Sequence, residues 1–474
     1  MMWHHSGRGS SSLGGIPGNV YFSSRDSKPA AFGKIPDGFA NPLEDLRFDL
    51  PGGVTCLLPL AVYATDKGTL PLAGSPPDFT GSAEAHPKSG NDRSVRLAGL
   101  ILAWNDFEHF YPYFDVVRTD WNAELKNGLL EAASDSDGSA FFRTLQKMVA
   151  ALHDGHGYVS HSGDNFRYGA NVTWDFVEGK IVADQVHNLE GMAPGDVLLT
   201  IDKRPALEVL KERESLRSGA TSQWLRWASL KDLTSCKLKG AFDVEIQRYK
   251  YAGEIRHLQL HCDKPVQEVR EKRPQKTKEI EPGIFYVDLD QASDSDYEAI
   301  LPQLTKAKSI IYDMRGYPGN IHNAKALFSN WTKIEIASPQ WHIPQVIRPD
   351  RDGMTFRRSQ WHISSAAPYL SARKIFLADG RAISYAETCI GIVEYYHLGE
   401  ILGEPTAGTN GNINSTKLPG GYTINWTGMR VLRQDGSQHH GVGIQPTIVI
   451  HRTQAGIAAG RDEFLERAVQ ELRQ

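Results

Sequence analysis

The sequence predicts a mixed α/β (α+β) protein, and three patterns along the chain support this. From Gly283 onward, short apolar runs alternate with helical stretches, as in a layered α/β core. Residues 95–160 instead carry apolar side chains at helical spacing, and residues 161–270 carry short strands bounded by turn residues. We therefore expect an α/β core preceded by a helical segment and a small β-rich unit.

The composition is that of an ordinary globular protein. The 474 residues are enough for about three domains, with 40% hydrophobic and 23% charged residues. The 52 basic and 56 acidic residues give a net charge of -4, so no electrostatic pattern favours nucleic acid or an anionic membrane as a partner. No apolar run approaches the roughly 20 residues that span a bilayer. The four cysteines form no C-x-x-C pair, which favours buried thiols or at most two disulfides.

Residues 1–94 predict an N-terminal appendage that is partly irregular. Gly, Ser and Pro are frequent there, and only residues 20–22 and 54–63 have strand-like patterns. The first residues lack an apolar h-region, so we expect no secretory signal in the chain as given.

The helical segment leads to a histidine that is flanked by glycines. Apolar residues recur at helical spacing over residues 97–111, and a second helix over residues 141–152 runs into L-H-D-G-H-G. Gly155 and Gly157 end this helix and place His156 on a tight turn, from which its imidazole can project into a cleft. The alternative is a histidine with a purely structural role.

In the β-rich unit, the clearest pattern is a turn that feeds an apolar strand at Gly191–Asp202. Short strands are expected at residues 242–247 and 255–260. The charged residues 271–279 that follow predict an exposed linker to the α/β core.

The α/β core alternates strands and helices as far as an amphipathic helix that closes the chain. We expect strands at 284–289, 309–312, 375–378 and 400–402, and helices at 297–307, from 324, from 384, and at the C-terminus.

The segment Lys374–Glu387 (K-I-F-L-A-D-G-R-A-I-S-Y-A-E) predicts a buried strand, a turn and a helix that begins near Ser384. At such a turn, the N–H groups of the first helical turn and the positive end of the helix dipole suit a developing oxyanion. We interpret Ser384 as a nucleophile, and the alternative is a serine that caps the helix. Glu387 is expected to cap the helix or to pair locally.

Four sequence blocks occur in a fixed order: L-H-D-G-H-G, G-M-A-P-G-D-V-L-L-T-I-D, I-I-Y-D-M-R-G-Y-P-G-N and A-I-S-Y-A-E, followed by G-E-P-T-A-G-T and G-V-G-I-Q-P-T-I-V-I. From about Val95 onward, the chain resembles the tail-specific (C-terminal processing) protease family, which includes the tricorn protease core. The resemblance implies a helical segment at 95–160, a PDZ-like module at 161–270 and a crotonase-like catalytic core at 280–474. It also implies serine peptidase activity on peptides or unfolded proteins.

The resemblance assigns a role to each matching residue. Ser384 matches the nucleophile, and the N–H groups of Tyr385 and of Gly319 or Asn320 match the oxyanion donors. Where one branch of the family carries a catalytic lysine, this chain reads T-A-G-T-N-G. His156 matches the histidine of the tricorn-like branch and is therefore the expected general base.

The chain departs from the tricorn-like pattern at two positions. Gly155 stands where that pattern has a serine before the histidine, and His439 and His440 stand where it has a glutamate. His440 is the positional match for the group that orients His156, but an imidazole lacks the charge of a carboxylate. A non-catalytic relative that binds a hydrophobic ligand or a peptide is thus the alternative function.

No cofactor or metal is expected. The His439–His440 pair has no third and fourth ligand at a suitable spacing, so the sequence does not predict a metal site. The resemblance favours a periplasmic or secreted location, and the sequence does not predict the oligomeric state.

Overall fold

The computed structural model describes residues 2–7, 20–21, 23–26, 45–65, 68–70, 89–163, 168–236, 239–251, 253–265, 271–346, 348, 351 and 353–473. The chain forms two compact units. Unit 1 comprises Met1–Leu145, Trp341–Ser359 and Asn412–Arg430, and unit 2 comprises Gln146–Gln340, Gln360–Gly411 and Val431–Gln474. None of the helices in the described ranges is long and apolar enough to cross a membrane.

The helices are α1 (Arg93–Phe110), α2 (Phe114–Val117), α3 (Trp121–Ser134), α4 (Gly138–Ala150), α5 (Ala206–Ser215), α6 (Ser222–Lys231), α7 (Asp294–Leu304), α8 (Ala324–Ser329), α9 (Tyr385–Tyr396), α10 (Gln454–Ala458) and α11 (Glu463–Leu472). The sequence pattern predicted α1, α4, α7, α8, α9 and α11, and these are confirmed. It missed α3, α5 and α6, whose apolar stripes are short or interrupted by charged residues.

Unit 1 combines α1–α3 with antiparallel strand pairs. These pairs are Met2–His5 with Ser23–Asp26, Asp45–Leu50 with Val54–Pro59, Ala64–Thr65 with Gly68–Thr69, Gln340–Gln345 with Thr355–Ser359, and Ile413–Lys417 with Tyr422–Thr427. Aromatic side chains fill its core, where the Phe107 ring packs edge-on against Trp121 and Trp426. Of the strand predicted at 20–22, Val20 and Tyr21 form a bend, and Phe22 lies outside the described residues.

Unit 2 contains a central sheet of six strands. Their spatial order is Thr277–Glu281, Ile284–Asp288, Ser309–Asp313, Arg373–Ala378, Glu400–Gly403 and Ile448–Val449, and every neighbouring pair after the first is parallel. Both faces of this sheet carry apolar side chains, because helices cover both of them. One face packs with Ile390 and Val393 of α9, and the other packs with Phe464 and Ala468 of α11.

Unit 2 also contains a β-rich module, which we define as residues 168–265. Its antiparallel sheet has the order Ile255–Cys262, Gly240–Gln247, Val197–Ile201, Lys180–Val186 and Val172–Val177, so the last of these is an edge strand. Arg204–Pro205 pairs with Val197–Ile201, and Tyr168–Gly169, Ser235–Cys236 and Lys264–Pro265 form a second small sheet. The remaining strands are Tyr158–His161, Ile336–Ala337, His362–Ile363 and Arg430–Leu432.

The cysteines of the β-rich module form one disulfide. Cys236 is bonded to Cys262, whereas Cys56 is an exposed thiol and Cys389 is a buried one. The sequence allowed buried thiols or up to two disulfides, and the chain uses both possibilities.

The exposed linker predicted at residues 271–279 is confirmed only in part: Lys272, Gln275, Lys276, Lys278 and Glu279 are exposed, but Glu271 and Arg273 are not. The side chains of Glu271 and Arg273 are only 14% and 2% exposed, and they form a salt bridge with each other. Glu271 also binds Arg381, and Thr277–Glu281 forms the first strand of the central sheet. Charge density indicated exposure here, but oppositely charged partners from distant parts of the chain make burial possible.

Candidate active site

Ser384 lies at a strained turn between a buried strand and α9. The strand Arg373–Ala378 ends among parallel neighbours, and Ser384 directly precedes the helix with φ 61° and ψ −114°. This backbone conformation costs a non-glycine residue roughly 1–3 kcal/mol and is concentrated at functional sites. Ser384 is the N-cap residue of α9 by position, but its side chain makes no capping hydrogen bond.

The loop Thr406–Asn410 holds this turn in place. The Ser384 N–H donates to the Thr409 carbonyl oxygen at 2.8 Å, and the Ser384 carbonyl accepts from the Thr388 N–H at 2.9 Å. Thr388 is also hydrogen-bonded to the Asn410 side chain at 3.0 Å. The strained conformation is thus fixed by bonds on both sides of Ser384.

Glu387 binds the same loop from inside the protein. Its fully buried carboxylate accepts hydrogen bonds from the Thr406 hydroxyl at 2.5 Å, the Gly408 N–H at 2.7 Å and the Thr409 N–H at 2.8 Å. The Nε2 atom of buried His439 lies 3.3 Å from this carboxylate. The predicted helix-capping role of Glu387 is therefore wrong. Its side chain instead joins α9 to the loop Thr406–Asn410, which lies beyond the next strand along the chain.

The turn that carries His156 binds to Thr409 as well. The Gly155 N–H donates to the Thr409 hydroxyl at 2.9 Å. A Cβ atom on Gly155 would lie only 2.7 Å from that hydroxyl and 3.0 Å from Cδ1 of Ile383, the residue before Ser384. The structure thus brings the turns of His156 and Ser384 into direct contact, although they are far apart in the sequence.

His156 is 8% exposed, and its surroundings favour the neutral ring. Burial lowers the pKa of His156, and the negative charges of Asp154 and Glu387 oppose this effect only in part. The Asp154 carboxylate accepts a hydrogen bond from the backbone N–H of His156 at 3.1 Å. The backbone N–H of Asp154 donates to the Ser218 hydroxyl at 2.7 Å. At neutral pH this imidazole is therefore in the form that can accept a proton.

His440 is buried beside the segment that precedes His156. Its Nε2 lies 3.0 Å from the His153 carbonyl oxygen, and because a carbonyl only accepts, this nitrogen carries the hydrogen. Burial lowers the pKa of His440 to about 4, which keeps the ring neutral and leaves Nδ1 as its acceptor.

The predicted oxyanion donors lie around the start of α9. The hydroxyl of Tyr385 donates to the Ile321 carbonyl at 2.9 Å and so binds the glycine turn to the helix. The Gly319 N–H donates to the Tyr317 carbonyl at 2.7 Å. The exposed Asn320 side chain lies within 3.4 Å of the Gln291 carbonyl, which accepts its hydrogen bond.

A buried cluster of arginine and aspartate side chains in this unit was not predicted from the sequence. Arg315 binds Asp313 and Asp462, whereas Arg381 binds Asp379. Burial raises the pKa of Asp313, but the adjacent arginines outweigh it and lower that pKa to about 2. The sequence did contain a signal for this cluster, because the pattern Asp-x-Arg occurs at the end of two strands, as D-M-R and as D-G-R. These two strands are neighbours in the parallel sheet.

A cleft of about 1360 Å³ opens beside the site. Its lining includes the edge strand Val172–Val177 and α6 of the β-rich module, and Tyr317, Gly319 and Ile383 near Ser384. Its volume exceeds the roughly 300–1,000 Å³ of typical small-molecule pockets, so it can hold an extended chain. Within the part of the protein that the structure describes, no group of three or more His, Cys, Asp or Glu residues is placed to hold a metal.

Comparison with known proteins identifies the α/β core. Residues 283–450 match Peptidase family S41. No curated protein matches the sequence.

Two solved structures have a similar fold. The structure of mature CPAF complexed with lactacystin is similar over 80% of this chain and 99% of the CPAF chain, with a TM-score of 0.67 and 14% sequence identity. A crystal structure of mature CPAF is similar over 80% and 98% of the two chains, with a TM-score of 0.65 and 15% identity. These folds confirm the predicted mixed α/β class. The match of residues 283–450 to Peptidase family S41 confirms the prediction of a serine-type peptidase.

Proposed function

We propose that this protein cleaves polypeptides through an acyl-enzyme, with Ser384 as the nucleophile and His156 as the general base. The observation that carries the proposal is the double attachment to Thr409, whose carbonyl holds the Ser384 turn and whose hydroxyl holds the His156 turn. Nucleophilic catalysis needs these two side chains within hydrogen-bonding reach of each other. The strained backbone of Ser384 supports the same assignment.

In the proposed reaction, His156 takes the proton of the Ser384 hydroxyl as the oxygen attacks the peptide carbonyl. The Tyr385 N–H, at the positive end of α9, stabilises the resulting oxyanion. His156 then gives its proton to the departing amine, and a water molecule activated by the same ring hydrolyses the ester.

His440 is proposed to orient His156 without supplying charge. The neutral His440 ring supports the turn through its hydrogen bond to the His153 carbonyl. Asp154 and Glu387 supply the negative charge that a triad carboxylate would give, because they are the two groups that raise the His156 pKa against burial. On this proposal the enzyme belongs to the histidine branch of the tail-specific proteases and stays active despite the missing glutamate.

We further propose that the core is crotonase-like and that the β-rich module is PDZ-like. The edge strand Val172–Val177 lines the cleft together with α6, and an extended peptide can add to such an edge through main-chain hydrogen bonds. The substrate would then be a peptide or an unfolded protein. The disulfide Cys236–Cys262 supports a periplasmic or secreted location, because such bonds persist in oxidising compartments.

Active-site labelling tests the function directly. A fluorophosphonate should label the folded protein at Ser384, as located by peptide mass spectrometry, and unfolded casein should be cleaved by the same preparation. Labelling without cleavage of any polypeptide would contradict the substrate class. A folded protein that takes up no label would instead favour the non-catalytic binding alternative.

The pH dependence of kcat/KM should report the lowered pKa of His156. Because the neutral ring is the active form, activity should persist as the pH falls and should decline only below the ordinary histidine value of about 6.5. Asp154→Asn removes a charge that raises this pKa, so its acid limb should lie at still lower pH. An acid limb above pH 6.5 in the wild type would contradict the assigned base.

The glycine before His156 should tolerate no side chain. Gly155→Ala places a Cβ within 3.0 Å of Ile383 and closer still to Thr409, so it should lower the free energy of unfolding by about 1–3 kcal/mol and reduce kcat. Gly391→Ala is the control, since its Cβ would lie no closer than 3.4 Å to any neighbour. Thermal unfolding and peptide cleavage of both variants measure this, and wild-type values for Gly155→Ala would contradict the close contact.

A further inference from the structure

The side chain of Tyr317 lies at the nucleophile. Tyr317 belongs to the glycine turn after the strand Ser309–Asp313, and its phenol lies near enough to the Ser384 side chain to interact with it. Its ring lies 6.0 Å from the ring of Tyr385, the first residue of α9. The residue is 45% exposed and lines the cleft together with Ile383, the residue before Ser384.

One of the expected backbone donors in the same turn is engaged elsewhere. The Gly319 N–H, expected to be the second oxyanion donor, instead donates to the Tyr317 carbonyl at 2.7 Å within a tight turn. Gly319 could reach an oxyanion only if that turn opened. The same turn places the Tyr317 phenol near Ser384.

We propose that the Tyr317 hydroxyl is the second donor of the oxyanion hole, beside the Tyr385 N–H. This inference rests on the proposed function and takes the place of the Gly319 N–H in it. In the resting enzyme the phenol lies beside the Ser384 hydroxyl. As the Ser384 oxygen bonds to the carbonyl carbon and its proton passes to His156, the phenol hydrogen turns to the carbonyl oxygen, which takes the electron pair of the C=O bond.

The phenol keeps its own proton throughout this step. Burial raises the pKa of Tyr317, and the interaction with Ser384 offsets this only in part. Tyr317 therefore acts as a donor over the whole neutral range. A donor fixed before the reaction needs no rearrangement as charge develops, which is why such groups lower the barrier strongly.

The test compares Tyr317→Phe with Tyr395→Phe, which removes a hydroxyl from a 43% exposed tyrosine at the far end of α9. Tyr317→Phe should lower kcat by about 10²–10³ with KM changed by less than about threefold, as for other lost oxyanion donors. Its rate of fluorophosphonate labelling should fall by a similar factor, because the phosphonyl oxygen uses the same donors. Tyr395→Phe should match the wild type in both assays.

Each other outcome overturns the inference. If wild-type protein is labelled at Ser384 and Tyr317→Phe keeps its kcat within about threefold, the peptidase proposal stands and the oxyanion role of Tyr317 fails. If Tyr317→Phe is faster than the wild type, the phenol obstructs the site instead. If the wild type takes no label, the proposed function fails and the role of Tyr317 fails with it. Circular dichroism and thermal unfolding of the variant exclude a folding defect as the cause of any loss.

Discussion

Replacing Ser384 with alanine is expected to abolish peptide cleavage and fluorophosphonate labelling and to leave the fold intact. The substitution removes the hydroxyl of the proposed nucleophile, and loss of a serine nucleophile lowers kcat by roughly 10⁴–10⁶. The fold should persist because the bonds that fix the turn are made by backbone groups of Ser384 and not by its side chain. Cleavage of unfolded casein and thermal unfolding measure the two effects.

Replacing Ser384 with glycine separates the effect on catalysis from the effect on backbone strain. The backbone values φ 61° and ψ −114° are the mirror image of a common extended conformation, which glycine adopts freely. Ser384→Gly should therefore be inactive and yet gain about 1–3 kcal/mol in the free energy of unfolding relative to Ser384→Ala. Ser365→Ala, at an exposed serine, is the control and should change neither quantity. Residual cleavage by Ser384→Ala near the wild-type rate would place the nucleophile elsewhere.

Replacing His156 with glutamine is expected to lower kcat by roughly 10⁴–10⁶, since a serine and its base act as a unit. Glutamine keeps most of the buried volume of His156 but cannot take a proton, so folding should survive better than with alanine. His156→Ala should be equally inactive. Fluorophosphonate labelling of Ser384 should slow in both variants, because the hydroxyl loses its base.

The control for His156 is an exposed histidine on the same unit. His362→Gln, whose side chain is 64% exposed, should cleave peptides like the wild type. Near-normal turnover by both His156 variants would show that another group is the base. Partial recovery of His156→Ala by added imidazole would strengthen the assignment, because the added base replaces the deleted one in the cleft.

Local patterns predicted much of the fold and the two principal site residues. An apolar run, a break at Asp379-Gly380 and a helical stripe predicted the turn at Ser384, and the structure confirms the strand and α9. These features depend on neighbours in the sequence, whose periodicity and turn chemistry decide the local conformation. Two glycines likewise predicted the tight turn at His156. The catalytic roles of both residues remain proposals.

Partners of buried polar groups could not be predicted in the same way. Glu387 was expected to act at its own helix, and Glu271 belongs to a segment, residues 271–279, that was expected to be exposed. The carboxylates of both residues instead bind donors far along the chain. A charged residue looks the same in a sequence whether it faces water or a buried arginine. Its burial is decided by which distant groups the fold places around it.

The sequence by itself determined the order of strands and helices in the core, the strained serine turn and the glycine-flanked histidine. Only the tertiary structure decided that Thr409 joins the two turns, that Glu387 holds the loop, and that the Gly319 N–H is bonded to the Tyr317 carbonyl. Periodicity and turn residues act over a few positions, whereas a site assembled from residues 156, 317, 384 and 409 depends on the packing of the whole unit.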